Sequence, residues 1–438
     1  MADSRQIAFE ALLKTEKQGA YSNITIDSFL TKTKLDTRDK SFVSALFYGV
    51  IERKLTIDYQ LQLYLDKPIK KLKPEVLSIL RMGAYQILFM DKVPASAAVN
   101  ESVKLTKKNG CSFASGLVNA VLRKVDKGRI ILPEEKDYTE YLSIKYSCPQ
   151  WLVNKWTSEY GSENTEGLLS HSIGVAPIYI RVNTTKINSN KLISILTEEG
   201  VNVIPTDIPD AMVIDLCGKD IEKLESFKKG LYHVQDISCQ LCSMALSPKK
   251  GDTVFDLCSA PGGKAYTVCE LMEDTGKIFC FDIHENRVEL IKKGAERLGL
   301  TSIIATVSDA SIFNNTIGYA DKVLCDVPCS GLGIISRKPE IKYKKQKELE
   351  DLPELQLRIL KNGAKYVKNG GILVYSTCSV SKDENESVCT EFLKSDDSFE
   401  SIIPLPELSD DKFLTLMPHK FGGDGFFIAA FKKKDEIL

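Results

Sequence analysis

A chain of 438 residues has room for two or three domains at roughly 150 residues each, and its 43% hydrophobic share excludes a disordered or low-complexity protein. Basic side chains number 58 and acidic ones 59, and the resulting formal charge of −1 excludes a uniformly basic nucleic-acid coat. No run approaches the roughly 18 consecutive apolar residues of a membrane span, and the start MADSRQIAFEALLK lacks a secretory core, so a cytoplasmic address without a membrane partner is expected.

Residues 1–128 are predicted to be wholly helical. Apolar positions recur at helical spacing in RQIAFEALLKT, SFVSALFYGVIERKL, PEVLSILRMGAYQILFM and SAAVNESVKLTKK, with breaks at Pro68, Pro74, Pro94 and Gly110. This segment holds 21 basic and 13 acidic residues, against 37 and 46 in the remainder, so the neutral total hides a +8 helical region and a −9 remainder. From 129 to 235 a polar helical stretch ending near His171 gives way to the strand APIYIRVNTTK, the helix KLISILTEEG and short strands in VNVIP and AMVIDL, the pattern of a small α+β domain.

From 236 onward, strands alternate with helices. TVFDL, KIFCFDI, SIIATVSD, ADKVLCDV and GILVYST are short and apolar, and segments such as ENRVELIKKGAERLG separate them, which predicts a doubly wound parallel sheet of α/β, Rossmann-like class. FLTLMP and GFFIAAFKK are expected to pair as edge strands. The first strand runs into DLCSAPGGKA, where adjacent Gly262 and Gly263 let backbone approach a ligand before a helix begins. Neither GxGxxG nor GxxxxGK[ST] is present. Asp282 ends the second strand, where a carboxylate accepts ribose hydroxyls, and Asp309 follows the third, within reach of an adenine edge. Together they favour an adenosine cofactor without a diphosphate.

Twelve cysteines are too dilute for a disulfide scaffold and are read as reduced thiols. Cys239 and Cys242 in SCQLC form the one CxxC pair; with no second half-site, no metal is expected, and an apolar helical setting makes packing the simplest account of them. The four histidines lie near no nucleophile motif. Cys329 in DVPCSGLG and Cys378 in YSTCSV both follow strand ends, and loops at the carboxyl edge of a parallel sheet emerge together, so these two thiols are expected to converge beside the cofactor. Cys258, Cys269, Cys280 and Cys325 are read as buried packing residues.

DLCSAPGGK, DVPCSGLG and YSTCSV, in that order, resemble the RNA cytosine-5 methyltransferases that use S-adenosylmethionine. VPASAAVNESVKL resembles the NusB-type RNA-binding fold, and YSCPQWLVNKW, VQDISCQL and DGFFIAAFKK match further family segments, so the likeness spans the chain and points to the bacterial 16S rRNA branch. The resemblance implies a multidomain protein: an all-α NusB-like RNA-binding domain at 1–128, a small α+β RNA-binding linker domain at 129–235, and a class I methyltransferase domain at 236–438. It implies S-adenosyl-L-methionine held by Cys258, Ser259, Ala260, Pro261, Gly262, Gly263 and Lys264, with Asp282 on ribose, Asp309 near adenine and Asp326 lining the pocket. It makes Cys378 the nucleophile and Cys329 the residue that assists product release. The implied partner is 16S ribosomal RNA, at cytosine 967, with no obligate protein partner and a monomeric enzyme. A threonine common after the loop lysine is replaced by Ala265, which puts one hydroxyl contact in doubt.

The chemistry fits these residue types. Cytosine C5 is a poor nucleophile until a thiolate adds at C6, which divides one hard step into two. Positive potential from Lys264 and the loop amides is expected to draw Cys378 toward thiolate. A protonated Asp326 is expected to contact cytosine N3. The target base must be unpaired or flipped from its stack. Three other functions are open to the same chain: the same chemistry on transfer RNA, a non-catalytic RNA-binding or antitermination module, and a thiol-redox protein built on SCQLC. The lysines of KPIKKLK at 67–73 are the expected RNA-facing patch.

Overall fold

The computed structural model describes residues 4–18, 22–33 and 35–435. The outer ends of the first and last expected domains, 1–3 and 436–438, lie outside the described residues. The chain divides into two compact units, one of residues 1–174 with 335–344 and the other of 175–334 with 345–438.

The first unit contains α1 (Ser4–Gln18), α2 (Ser22–Lys32), α3 (Thr37–Glu52), α4 (Lys54–Gln62), α5 (Pro74–Phe89), α6 (Ala95–Lys108), α7 (Ser115–Lys124), α8 (Tyr138–Lys145) and α9 (Gln150–His171). Local chemistry sets several starts: the Asp36 carboxylate accepts from Asp39 N at 2.7 Å to cap α3, and Pro74 opens α5 where its missing N–H costs nothing. Helical-period residues such as Leu46, Phe47, Ile57, Leu61, Ile79, Leu80 and Val118 form a single core. Within it Arg81 forks onto both oxygens of Asp58 at 2.7 Å and also pairs with Glu16.

The expected boundary at 128 does not coincide with a break in compactness. Thr56 Oγ1 donates to Ile144 O at 2.5 Å and Leu55 N donates to Ser147 Oγ at 2.9 Å, which fastens α4 to the end of α8 and places α8 and α9 in the helical unit. Segment 335–344 also packs here: Lys342 is fully buried, donates to Glu52 O at 2.7 Å, and is lowered to about 8 by burial. No helix among the described residues is long and apolar enough to cross a membrane.

The second unit begins with β1 (Ile178–Val182), α10 (Ser189–Glu198), β2 (Asn202–Pro205), β3 (Ala211–Asp215), α11 (Glu225–Lys228) and β4 (Tyr232–Val234). Its four strands form an antiparallel sheet of order β2-β3-β1-β4. Strand β4 has three residues, too few to show a periodicity, and its pairing to β1 is visible only in three dimensions. Arg181 on β1 reaches out of this sheet to a second layer of the unit, as described below.

The rest comprises α12 (Ile237–Ala245), β5 (Thr253–Asp256), α13 (Gly263–Leu271), β6 (Lys277–Asp282), α14 (Glu285–Leu298), β7 (Ile303–Val307), β8 (Ala320–Asp326), α15 (Leu352–Ala364), β9 (Val367–Thr377), α16 (Glu386–Ser395), β10 (Phe399–Ile402), β11 (Phe413–Leu416), α17 (Pro418–Phe421) and β12 (Phe426–Lys433). The strands order as β10-β12-β9-β8-β5-β6-β7, with β11 also on β12. Alternate residues enter two cores. Val254, Ile278, Leu324 and Val374 join Leu241, Val268 and Ile291 on one face, whereas Phe255, Phe281, Val323 and Leu373 join Ile359, Leu360 and Val388 on the other. Burial on both faces is why these strands read as unbroken apolar runs.

The sheet is mixed rather than purely parallel. Strand β12 runs antiparallel to β9, β10 and β11, so GFFIAAFKK lies inside the sheet and not at its edge. Its six residues Phe426 to Phe431 are all buried, as two covered faces require.

Candidate active site

The loop after β5 is held through its backbone groups by neighbouring elements. Ser259 N donates to Phe281 O at 2.8 Å, Tyr266 Oη donates to Pro261 O at 3.0 Å, and Arg287 Nη2 donates to Ala260 O at 2.8 Å. Gly262 has φ +108°, and a Cβ there would meet the Tyr266 hydroxyl at 2.4 Å, so only glycine fits the turn into α13. Asp282, at the end of β6, accepts from His284 N at 3.0 Å and pairs with Arg287 at 3.0 Å. Arg287 thereby joins Asp282 to the Cys258–Lys264 loop. Ser308 N donates to Asp282 O at 3.0 Å, which brings the end of β7 alongside; Asp309 itself accepts from Ser311 N and Oγ at 2.8 and 2.7 Å.

Asp256, at the end of β5, is a site residue that sequence reasoning does not single out. Among the described residues its two buried oxygens make no well-formed hydrogen bond, although the Ser259 hydroxyl and the Cys258 backbone lie near enough to favour the charged form. Burial, then the charge of Asp326, pushes the Asp256 carboxyl up to about 7. A ligand that brings a cationic donor to this mouth would satisfy these atoms. The amino group of S-adenosylmethionine is such a donor, so the loop chemistry fits that cofactor.

The two cysteine loops meet. Parallel pairing of β8 and β9 sets Asp326 against Ser376, and Val327 N donates to Ser376 O at 3.1 Å. Gly333 N donates to Cys378 O at 2.9 Å, and Gly425 N donates to Gly333 O at 2.8 Å. A Cβ on Gly333 would lie 1.8 Å from Gly425 O, so the motif glycine allows the backbones to touch. Cys329 Sγ then sits 3.1 Å from Cys378 Sγ, and both residues are partly exposed. The hydrogen bond to Cys378, then burial, and the charges of Cys378, Glu384 and Asp326 raise the Cys329 thiol well above its ordinary range. Either sulfur can be the donor in this contact.

Asp326 accepts from Lys264 Nζ at 2.7 Å on one oxygen and from Ser376 Oγ at 2.8 Å on the other. Lys264 also donates to Cys239 Sγ at 3.4 Å and lies 5.0 Å from the centre of the Phe426 ring. This corrects two expectations. The Lys264 ammonium is directed to Asp326 and Cys239 rather than to Cys378, and Cys239, on α12, is a polar contact of the site rather than packing alone. Cys242 is buried in the core beside it.

Sequence reasoning also passes over Ser376, Arg287 and Glu384. Ser376 stands inside YSTCSV, where it could have been found. Glu384 lies in SKDENES, a polar stretch with no periodic or motif signal.

Comparison with known proteins gives three family matches: "16S rRNA methyltransferase RsmB/F" at residues 243–432, "NusB family" at 2–127, and a "Methyltr_RsmF/B-like, ferredoxin-like domain" at 148–217. The chain is 37% identical over 442 residues to the "Probable ribosomal RNA small subunit methyltransferase B" of Bacillus subtilis, with 98% of each chain covered. It is 35% identical over 450 residues to the Synechocystis protein of the same description, covering 99% of this chain and 100% of that one. The crystal structure of PH0851 superimposes with a TM-score of 0.82 at 28% identity over 99% of both chains.

Proposed function

The chain belongs to the family of 16S rRNA methyltransferases described as RsmB/F, and from that membership and its paired thiols we propose that it methylates C5 of a cytosine in 16S ribosomal RNA, at position 967, with S-adenosylmethionine as donor. The observation that carries the chemistry is the 3.1 Å approach of Cys329 and Cys378 from two separate strand ends. Packing alone does not require two partly exposed thiols at the carboxyl edge of a sheet.

The cofactor supplies an electrophilic methyl group. For its binding, Cys258, Ser259, Ala260, Pro261, Gly262, Gly263 and Lys264 form the loop, Asp282 takes the ribose, Asp309 lies toward adenine, and Asp256 takes the amino group. Cys378 is the nucleophile that adds to cytosine C6 and makes C5 electron-rich. Asp326, fixed by Lys264 and Ser376, contacts N3 through a proton taken up from solvent as the base binds, and that shared proton stabilises charge in the ring. After methyl transfer the C5 proton leaves to a base while the C6–S electron pair returns to the sulfur of Cys378, and Cys329, within hydrogen-bond reach of that sulfur, assists this release as acid or base. The helical domain at 1–128 and the small domain at 129–235 bind the RNA, and 236–438 carries the reaction.

Incubation with unmodified 16S rRNA and with transfer RNA, followed by bisulfite sequencing, tests the proposal. New protection of one 16S cytosine is expected. Methylation of transfer RNA alone would overturn the substrate, and methylation at another base atom would overturn the chemistry.

A further inference from the structure

Glu384 is 2% exposed, yet no step above uses it. Its carboxylate accepts from Ser330 N at 2.8 Å and Ser330 Oγ at 2.5 Å, from Ser379 Oγ at 2.7 Å, and from Gln356 Nε2 at 2.9 Å. Ser330 follows Cys329 and Ser379 follows Cys378, so one buried carboxylate takes hydrogen bonds from the residue next to each thiol. The two serine hydroxyls are themselves 2.9 Å apart.

The surroundings hold this carboxylate in place. Tyr375 Oη donates to Glu384 O at 2.5 Å, and Gln356 on α15 donates as well to Pro328 O at 3.0 Å, one residue before Cys329. A buried carboxylate is costly unless donors surround it, and here most of the donors come from the two cysteine loops. Asn385, the next residue, bonds Thr377 Oγ1 at 2.6 Å and Ser379 O at 2.9 Å, which fixes the other side of the Cys378 turn.

We propose that Glu384 is a positioning residue that sets the spacing of Cys329 and Cys378 by tying together the two loops that carry them. The inference rests on the roles given above to the two thiols. Its physical content is the register of two loops that are also linked by the Gly333–Cys378 and Val327–Ser376 backbone bonds and by the Ser330–Ser379 hydroxyl contact, with Glu384 accepting from both loops at once. The Glu384 charge also contributes to raising the Cys329 thiol.

The test uses the full-length Glu384→Gln protein, in which an amide NH2 meets donors that now find an acceptor. One readout needs no RNA: diamide takes two electrons and two protons from the thiols, becomes a hydrazine and leaves a Cys329–Cys378 disulfide, quantified by peptide mass spectrometry. Formation is expected to slow by about tenfold or more in the variant, and kcat for RNA methylation to fall by about 10–100-fold with KM for the cofactor unchanged. If Glu384→Gln does not fold, Ser379→Ala removes one donor and leaves the carboxylate in place, and the same two effects are expected at smaller size. Wild-type rates of both cross-linking and methylation in the folded variant would overturn the proposal. Slowed cross-linking in a protein whose wild type methylates no RNA cytosine would support the positioning role while overturning the functional reading beneath it.

Discussion

Cys329 Sγ and Cys378 Sγ lie 3.1 Å apart although they stand 49 positions apart along the chain. The proposed function gives these two thiols different roles, attack for Cys378 and product release for Cys329. Cys378→Ala is expected to lower methyl transfer by about 10³-fold or more, with cofactor affinity within about twofold of wild type. Cys329→Ala is expected to form the C6 adduct and release it slowly, seen as a protein–RNA band on denaturing gels. Full turnover by Cys378→Ala would remove it as nucleophile.

Asp256 is expected to make cofactor binding sensitive to pH. Its carboxyl is raised from 3.8 to about 7, so the stabilising contribution of its neutral form is complete below about pH 4 and is lost as pH rises toward 7. Cofactor-free wild type is therefore expected to lose stability against Asp256→Asn across that window, measured by urea denaturation. A cationic ligand group reverses the preference. Cofactor affinity of the wild type should rise from about pH 6 to about pH 7.5, whereas that of Asp256→Asn stays weaker and flat by calorimetry.

Asp282 is buried, and its partner Arg287 is nearly half exposed, so the carboxylate can be removed without stranding a buried cation. Asp282→Ala is expected to weaken cofactor binding by about 1–3 kcal/mol if two ribose hydroxyls lose their acceptor. Unchanged affinity by calorimetry would free Asp282 of that role.

Arg181 of the small sheet pairs at 3.0 Å with Glu270 of α13, both of them buried, and His233 Nδ1 lies 3.4 Å from the same carboxylate. Arg181→Met leaves Glu270 without its permanent cation and is expected to cost about 3–5 kcal/mol in denaturant unfolding. The double variant Arg181→Met, Glu270→Met should recover part of that loss, because no unpaired charge remains buried.

Lys67, Lys70, Lys71 and Lys73 are all exposed on the helical unit. Replacing all four by alanine is expected to weaken RNA binding and to lower the slope of log affinity against log salt by roughly 0.7–0.9 for each phosphate that a lysine no longer neutralises. An unchanged slope would mean that these lysines only solvate the surface.

Several parts of this molecule are decided by neighbours in the chain. The helices at 4–124 follow from apolar spacing and from starts such as Asp36 and Pro74; the strands of the large sheet follow from short apolar runs; Gly262 marks a turn that no other residue can make. The convergence of Cys329 and Cys378 also follows from sequence, because loops after parallel strands leave one edge of a sheet whatever lies between them. The direction of β12 and the placing of α8 and α9 do not follow. An apolar run has no polarity, and an amphipathic helix fits any core that matches its face.

The sequence by itself therefore determined which loops carry the candidate site residues and which residue types stand in them. Only the tertiary structure decided what each charged or polar group faces: Lys264 turns to Asp326, Asp256 is buried within reach of the Asp326 charge, Arg287 bridges Asp282 to the glycine loop, and Glu384 gathers Ser330 and Ser379. The reason is physical. Backbone preferences act over a few residues, whereas an ion pair or a buried hydrogen bond depends on strand register and on burial, and both are set by parts of the chain far away in sequence.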